Sequence, residues 1–279
     1  MNFLVTGANG FLGRNLVERL KNIKKGIDKT RSFTVGKIFE CTRKSSEEEL
    51  QAWCKEADFV FNLVGVSRPK DNGEFKIGNY DFAEHLLDLL KKNNNKCSVM
   101  LASSIQASLI GRFKGSEYGK TKRDAENLLF NYAKNENVKV FVYRFPHMYG
   151  KWGRPNYNSV IATFCNNIAN NLPIMINDPS VILELVYVDD VIDSMFSAIE
   201  GNACRCKYTG ITAVADQSGD FCYVPCTHKL TVGELADILK SFRTQSENKL
   251  LQEISENSFR KKLYSTYLSY LPNKKDSLS

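Results

Sequence analysis

NFLVTGANGFLGRNLVERLKNI, residues 2–23, divides into three pieces. Residues 2–6 are a short apolar run that stops at Gly7. GANGFLG then spaces Gly7, Gly10 and Gly13 three apart, and RNLVERLKNI sets Leu16, Val17, Leu20 and Ile23 on one helical face. Strand, glycine turn and helix in that order open a parallel α/β unit. The glycines permit a tight turn and close backbone approach. The helix start presents unpaired N–H groups and a partial positive charge, which suits a pyrophosphate. A ligand-free glycine turn is the alternative; the position directly between a strand and a helix favours the dinucleotide.

The pattern continues outward from this unit. KIFECT (37–42) reads as a second strand, and Ser46-x-x-Glu49 as a capping box opening a helix through about Lys55. ADFVFNLVG (57–65) is continuously apolar, as in strands buried on both faces of a parallel sheet. YDFAEHLLDLLKKN (80–93) is an amphipathic helix, and CSVMLASS (97–104) and VKVFVYRF (138–145) are further strands. VILELVYV (181–188) reads as a strand returning to the same sheet, DDVIDSMFSAIEG (189–201) as the helix after it, and Thr231-x-x-Glu234 as the cap of a late helix. This alternation predicts an α/β fold: a doubly wound parallel sheet with a smaller C-terminal lobe. The dinucleotide-binding domain is expected over 1–150, rejoined by the strand and helix near 181–200. The lobe accounts for most of 151–279.

Composition narrows the function classes. A hydrophobic content of 43% with 25% charged residues is ordinary for a soluble globular chain. No apolar run approaches the roughly 18 residues of a membrane span, and MNFLVTGANG lacks a secretory signal's basic start. A cytoplasmic protein with no membrane partner is expected. The net charge of +7 suits anionic ligands, but the basic residues are scattered and form no nucleic-acid motif, so nucleic acid is not expected. Without an export signal the eight cysteines should be reduced. Cys204, Cys206, Cys222 and Cys226, with His228 nearby, could close a zinc staple. Their spacing is not that of standard zinc knuckles, and no metal is expected.

SEYGKTKRDAE (116–126) places Tyr118 and Lys122 one turn apart on a helix. Ser104 ends the preceding strand, at the carboxyl edge where ligands of such sheets bind. Reduction of a carbonyl by hydride needs its oxygen polarised and then protonated. A free phenol, pKa about 10, is a poor acid at neutral pH. The neighbouring ammonium, with an oxidised nicotinamide, is expected to lower that pKa, while Ser104 orients the oxygen. Cys41-Thr42-Arg43-Lys44 ends the second strand without the carboxylate that NAD binders place there, Glu40 being expected to point elsewhere. Arg43 and Lys44 would suit a 2′-phosphate, so NADP(H) is favoured. The cofactor candidates are Gly7, Asn9, Gly10, Phe11, Leu12, Gly13, Thr42, Arg43, Leu63, Gly65, Tyr118, Lys122 and Pro146.

TGANGFLG (6–13), ASSIQA (102–107), YGKTK (118–122) and YRFPHMYG (143–150), in this order, resemble the extended short-chain dehydrogenase/reductase family over essentially the whole chain. The resemblance implies a Rossmann-type fold, a dinucleotide cofactor and a nucleotide-sugar substrate, which makes the C-terminal lobe a substrate-binding lobe. It gives Ser104, Tyr118 and Lys122 the catalytic positions, matches Asn79 to a helix asparagine, and matches Asp189 and Asp190 to the end of a return strand. It also implies a homodimer paired through the Tyr118 helix.

VGVSRPKDNGEFKIGN (64–79), SSIQAS (103–108), GKWGRPNYNSVIATFCNNIA (150–169), YVDD (187–190) and KLYSTYLSYLP (262–272) look like one branch of that family. These are the N-terminal domains of bifunctional capsular-polysaccharide enzymes, whose C-terminal cupin epimerises C3. The branch implies NADPH-dependent reduction of the C4 ketone of a UDP-2-acetamido-2,6-dideoxy-hexos-4-ulose, on the route to UDP-N-acetyl-L-fucosamine. The chain ends about where the cupin would begin, so epimerisation is not expected. His147 stands where the family has asparagine, and Leu183-Glu184 where many members have a diphosphate-binding arginine. Lys151 and Arg154 become the diphosphate candidates; with Ser104, His147 and Asn156 they complete the proposed substrate set. A 4-epimerase and a non-catalytic NADP sensor are the rival readings. A dehydratase is disfavoured because Ile105-Gln106, not Asp-Glu, follow Ser104.

Overall fold

The computed structural model describes residues 1–69, 71, 73–157, 159–244 and 258–272. Two compact units emerge: Met1–Phe145 with Ile192–Pro225, and Pro146–Val191 with Cys226–Ser279.

The first unit is built on β1 (Phe3–Thr6), β2 (Ile38–Cys41), β3 (Phe59–Asn62), β4 (Ser98–Ser104) and β5 (Val140–Phe145). They are connected by α1 (Phe11–Lys24), α2 (Glu47–Glu56), a short α3 (Gly73–Lys76) leading into α4 (Phe82–Lys92), and α5 (Glu117–Glu136). The order β2-β1-β3-β4-β5 is parallel throughout. Strand alternation sorts the core into two layers. Leu4, Val60, Val99, Leu101 and Val142 meet aliphatic residues of α2, α4 and α5 on one face. On the other, the rings of Phe3, Phe59, Phe61 and Phe141 pack in tilted pairs at centroid distances of 4.9–6.3 Å. The expected capping box is present: Glu49 N–H donates to Ser46 and Ser46 N–H to Glu49.

Because β1 pairs with both β2 and β3, the chain reverses its direction of travel across the sheet at β1. The carboxyl ends of β1 and β3 therefore flank a switch point, where doubly wound sheets open a crevice. Gly7 and Leu63 stand at its two lips.

Three strands extend the sheet beyond β5. Following α6 (Val160–Ala169) of the second unit and α7 (Val188–Ile199), β8 (Arg205–Thr209), β9 (Thr212–Ala215) and β10 (Phe221–Cys222) complete the order β5-β10-β8-β9, with β8 antiparallel to both neighbours. The β8–β9 hairpin turns on Gly210, at φ +65°. The cysteine-bearing segment thus holds a hairpin and a short strand. Cys206 and Cys222 are buried on its strands, whereas Cys226 belongs to the second unit. Among the described residues no cluster of three His, Cys, Asp or Glu could hold a metal ion.

The second unit corrects one expectation. β7 (Ile182–Tyr187) does not return to the main sheet. It runs between β6 (His147–Tyr149), parallel, and β11 (Thr227–Thr231), antiparallel, in a separate three-stranded sheet. Its inward residues Leu183 and Leu185 pack with α6, α8 (Val232–Thr244) and α9 (Ser258–Leu268), so β7 has its own core to bury against. From Ile192 to Pro225 the chain belongs to the first unit.

The glycine turn sets the most stringent local requirement. A Cβ on Gly13 would lie 2.2 Å from the Gly7 carbonyl oxygen. Gly13→Ala is expected to lower folding stability by about 1–3 kcal/mol, read from the midpoint of denaturant unfolding.

Candidate active site

The glycine turn is held in three ways. Gly10 N–H donates to the Gly7 carbonyl (2.8 Å), Ala8 N–H to the Cys41 carbonyl at the tip of β2 (3.1 Å), and Gly7 adopts φ +67°. A Cβ on Gly7 would sit 3.1 Å from the Leu63 backbone, so the turn lies directly against the end of β3. Helix α1 starts at Gly10 with no side-chain cap and no acid in its first turn. Its leading N–H groups and its partial positive charge are left for an anion. Asn9 and Gly10 are exposed, while the Leu12 side chain goes into the core and leaves only its backbone to a ligand. The cradle that a Cβ would fill, with an uncapped helix behind it, fits the pyrophosphate of a dinucleotide.

At the tip of β2 a small turn organises itself. Thr42 N–H donates to Ser45 Oγ (3.1 Å) and Lys44 N–H to Thr42 Oγ1 (3.2 Å), turning Arg43 and Lys44 out to solvent. Neither forms an ion pair among the described residues. Glu40 is held by Lys21 of α1, at 2.8 Å.

Helix α5 is brought close to the end of β4 by a glycine. A Cβ on Gly119 would meet the Gln106 carbonyl oxygen at 2.4 Å, so only glycine lets the helix settle on the 3₁₀ turn that follows Ser104. Ser116 caps the helix, accepting from Gly119 N–H at 3.0 Å, and donates to Gln106 Oε1 at 3.1 Å. The result is a hydrogen bond between Ser104 and the Tyr118 phenol. Lys122, one turn along, is 3% exposed and donates to the carbonyls of Ala102 (3.0 Å) and Val64 (3.4 Å). A Cβ on Gly65 would come within 3.0 Å of its Nζ.

The three expected catalytic residues therefore converge, with Gly65 beside them and Gly7 and Leu63 meeting at the glycine turn. Their electrostatics differ from the sequence expectation. Burial pushes the Tyr118 phenol up to about 12, and the Ser104 bond opposes this only in part. Burial draws the Lys122 ammonium down to about 8, with Glu126 opposing. In the chain alone, desolvation outweighs the neighbouring cation, whose Nζ lies 6.0 Å from the Tyr118 ring centroid.

Asn79 sits in a π-helical turn, Ile77–Asp81, at the start of α4. Its amide grips Val66 from both sides, accepting from Val66 N–H (2.9 Å) and donating to Val66 C=O (3.0 Å), and also donates to Thr121 Oγ1 (3.1 Å). It thus ties the loop after β3 to α5. The Phe75 ring lies 5.9 Å from that of Tyr118. Behind the site, buried Glu126 accepts two bonds from Arg144 (2.9 and 2.6 Å) and one from Ser103. Sequence reasoning missed Phe75, Ser103, Glu126 and Arg144. The signal was an acid four residues past Lys122 on the buried side of α5.

Pro146, His147, Lys151, Arg154 and Asn156 lie in the second unit. His147 opens β6. The loop after it pairs cations with rings, Lys151 Nζ at 4.5 Å from the Trp152 ring centroid and Arg154 at 5.0 Å from that of Tyr157, with Trp152 and Asn156 at positive φ. Asp190 is bound by Lys262 through both oxygens, at 2.8 and 2.7 Å.

The model of the NAD dependent epimerase/dehydratase family matches residues 3–205. A Pseudomonas aeruginosa protein named UDP-2-acetamido-2,6-beta-L-arabino-hexul-4-ose reductase is 38% identical over the full chain, which spans 67% of that protein. The crystal structure of the capsular polysaccharide assembling protein CapF from Staphylococcus aureus has a TM-score of 0.77 at 39% identity. That match covers all of this chain and 68% of CapF. UDP-glucuronic acid 4-epimerase from Bacillus cereus, solved in complex with NAD, shares the fold at a TM-score of 0.73 and 18% identity, over all of this chain and 99% of that one. The Rossmann-type α/β fold, the glycine cradle suited to a nicotinamide dinucleotide and these matches agree, and the chain belongs to the NAD dependent epimerase/dehydratase family.

Proposed function

We propose that this chain is an NADP(H)-dependent reductase of the C4 ketone of a UDP-2-acetamido-2,6-dideoxy-hexos-4-ulose, serving capsular or O-antigen sugar synthesis. The observation that carries the reading is the convergence of Ser104, Tyr118 and Lys122 at the carboxyl edge of β4. The name of the Pseudomonas aeruginosa relative supports the substrate class.

Reduction adds a hydride to C4 and a proton to its oxygen, turning the carbonyl into a secondary alcohol. A reduced nicotinamide supplies the hydride when bound. The glycine turn and the start of α1 would hold its pyrophosphate, and Arg43 with Lys44 the adenosine 2′-phosphate. Tyr118 Oη gives the proton to the oxygen, and the Ser104 hydroxyl fixes that oxygen's position. A phenol whose pKa stands at about 12 holds its proton firmly in the ground state; negative charge developing on the substrate oxygen draws it across. The Lys122 ammonium stabilises the phenolate left behind and would bond the nicotinamide ribose. In the second unit, His147, Lys151, Arg154 and Asn156 are the proposed sugar-nucleotide contacts, their cationic side chains suited to a diphosphate.

The same reading includes a cytoplasmic homodimer. It is compatible with the finding that no helix among the described residues is long and apolar enough to cross a membrane.

Tyr118→Phe is expected to cut NADPH oxidation by about 10²–10⁴-fold with the UDP-4-keto sugar. NADPH binding, followed by its fluorescence, should be retained. Full turnover in that variant would overturn the assignment, and a tightly held dinucleotide with no net NADPH loss would favour the 4-epimerase. Arg43→Ala is expected to raise KM for NADPH by about 10–100-fold while leaving KM for NADH within a factor of about 2. Equal effects on both cofactors would remove Arg43 from 2′-phosphate recognition.

A further inference from the structure

Lys122 has lost nearly all contact with water, being 3% exposed, and its partners at the site are the carbonyl oxygens of Ala102 and Val64. Carbonyl dipoles orient an ammonium without neutralising it, and a buried lysine left with dipoles alone tends to give up its proton. The reductase reading requires the cation. A full negative charge is present on the same helix. Glu126 follows Lys122 by one turn, is 1% exposed, and acts on the ammonium in the direction that preserves its charge.

The carboxylate is fixed by more than the helix. Arg144 of β5 donates Nε and a terminal nitrogen to its two oxygens, at 2.9 and 2.6 Å, and Ser103 of β4 donates its hydroxyl to Oε1. The strand register makes this possible, since Ser103 and Arg144 are direct partners across the β4–β5 pair. Arg144 is held in turn between the rings of Phe221 and Tyr208, at 4.2 and 5.1 Å. A bidentate pair of this kind holds the Glu126 carboxylate in one place. Among the described residues, Glu126 is the charged group that acts on the Lys122 ammonium. Tyr118 stands one turn before it on the same helix, Arg144 of β5 lies beyond Glu126, and the groups that touch the ammonium itself are the neutral carbonyls of Ala102 and Val64. The π-turn before α4 also carries Tyr80 and Asp81, whose side chains bond Glu84 and Lys76.

We propose that Glu126, clamped by Arg144 and Ser103, is a positioning residue for the reaction, acting as the buried counter-ion of Lys122. It touches neither substrate nor cofactor. The proposal rests on the reductase reading of Tyr118 and Lys122, and it assigns Glu126 a role beyond stitching α5 to β5.

The test compares wild-type protein with Glu126→Gln, using ¹³C-labelled lysine side chains and NMR to follow Lys122 through a pH titration of the cofactor-free protein. The signal is assigned by its loss in Lys122→Arg. The expected result is a Lys122 midpoint displaced to lower pH by about half a pH unit or more in Glu126→Gln. The alkaline limb of kcat/KM for NADPH-dependent reduction should move the same way. A folded Glu126→Gln protein whose Lys122 titrates as in wild type would overturn the proposal and leave the pair a purely structural tie. Should Arg144, stripped of its partner, prevent folding, the double variant Glu126→Gln/Arg144→Met removes both buried charges. Its Lys122 midpoint should move in the same direction by a smaller amount, and an unmoved midpoint there would equally overturn the proposal. The titration needs no substrate. Failure of the reductase reading would show separately, as full turnover by Tyr118→Phe.

Discussion

A lysine ammonium taken out of water must be met by oxygen atoms, and the first unit is arranged around that requirement. Lys122 reaches from α5 to the carbonyl of Ala102 in β4 and to that of Val64 just past β3. Those contacts fix three elements at one point, beside the switch point of the sheet. The close approach depends on residues with no side chain in the way: Gly119 under α5 and Gly65 beside the ammonium. Asn79 completes the tie by bonding Val66 and Thr121 together. Tyr118, one turn before Lys122, is thereby delivered to Ser104.

The same desolvation that makes the lysine informative sets the energetics of the site. In the chain alone Tyr118 and Lys122 are pushed in opposite directions, to about 12 and about 8, and both displacements favour the uncharged forms. The site therefore holds its phenol firmly protonated, the form a ketone reduction consumes. The cation that stabilises the phenolate has Glu126 behind it. A phenol and an ammonium one turn apart amount to chemistry only because the surrounding strands exclude water and a buried acid stands behind the ammonium.

Much of the first unit was legible in the sequence, because each signal there is local. GANGFLG names a turn that only glycine can make, and Ser46-x-x-Glu49 names its own capping box. Continuous apolar runs mark strands buried on both faces. What was illegible depends on partners distant in the chain. VILELVYV is a strand on any reading, but its choice of β6 and β11 over the main sheet is decided by a second core around Leu183 and Leu185. The cysteine segment hid a hairpin and a short strand, whose pairing with β5 no short-range pattern announces. In the site, Ser104, Tyr118 and Lys122 could be read from motif spacing. Glu126 stood in the same helical spacing, but its pairing with Arg144 did not show, because that follows from the register of β4 against β5. The rise in the Tyr118 pKa was also out of reach, since charge pairs show in a sequence and burial does not.

The reaction proposed for this chain moves a hydride onto C4 of a UDP-linked 4-keto sugar. The most direct measurement is a single-turnover reaction of the purified chain with NADPH deuterated at the transferring C4 position of the nicotinamide, followed by mass and NMR analysis of the sugar product. A reductase built as described would leave one deuterium on the sugar's C4, in stoichiometric exchange for NADPH consumed and bonded to the carbon bearing the new hydroxyl. A sugar recovered without deuterium, its ketone intact or only its stereochemistry altered, would contradict it.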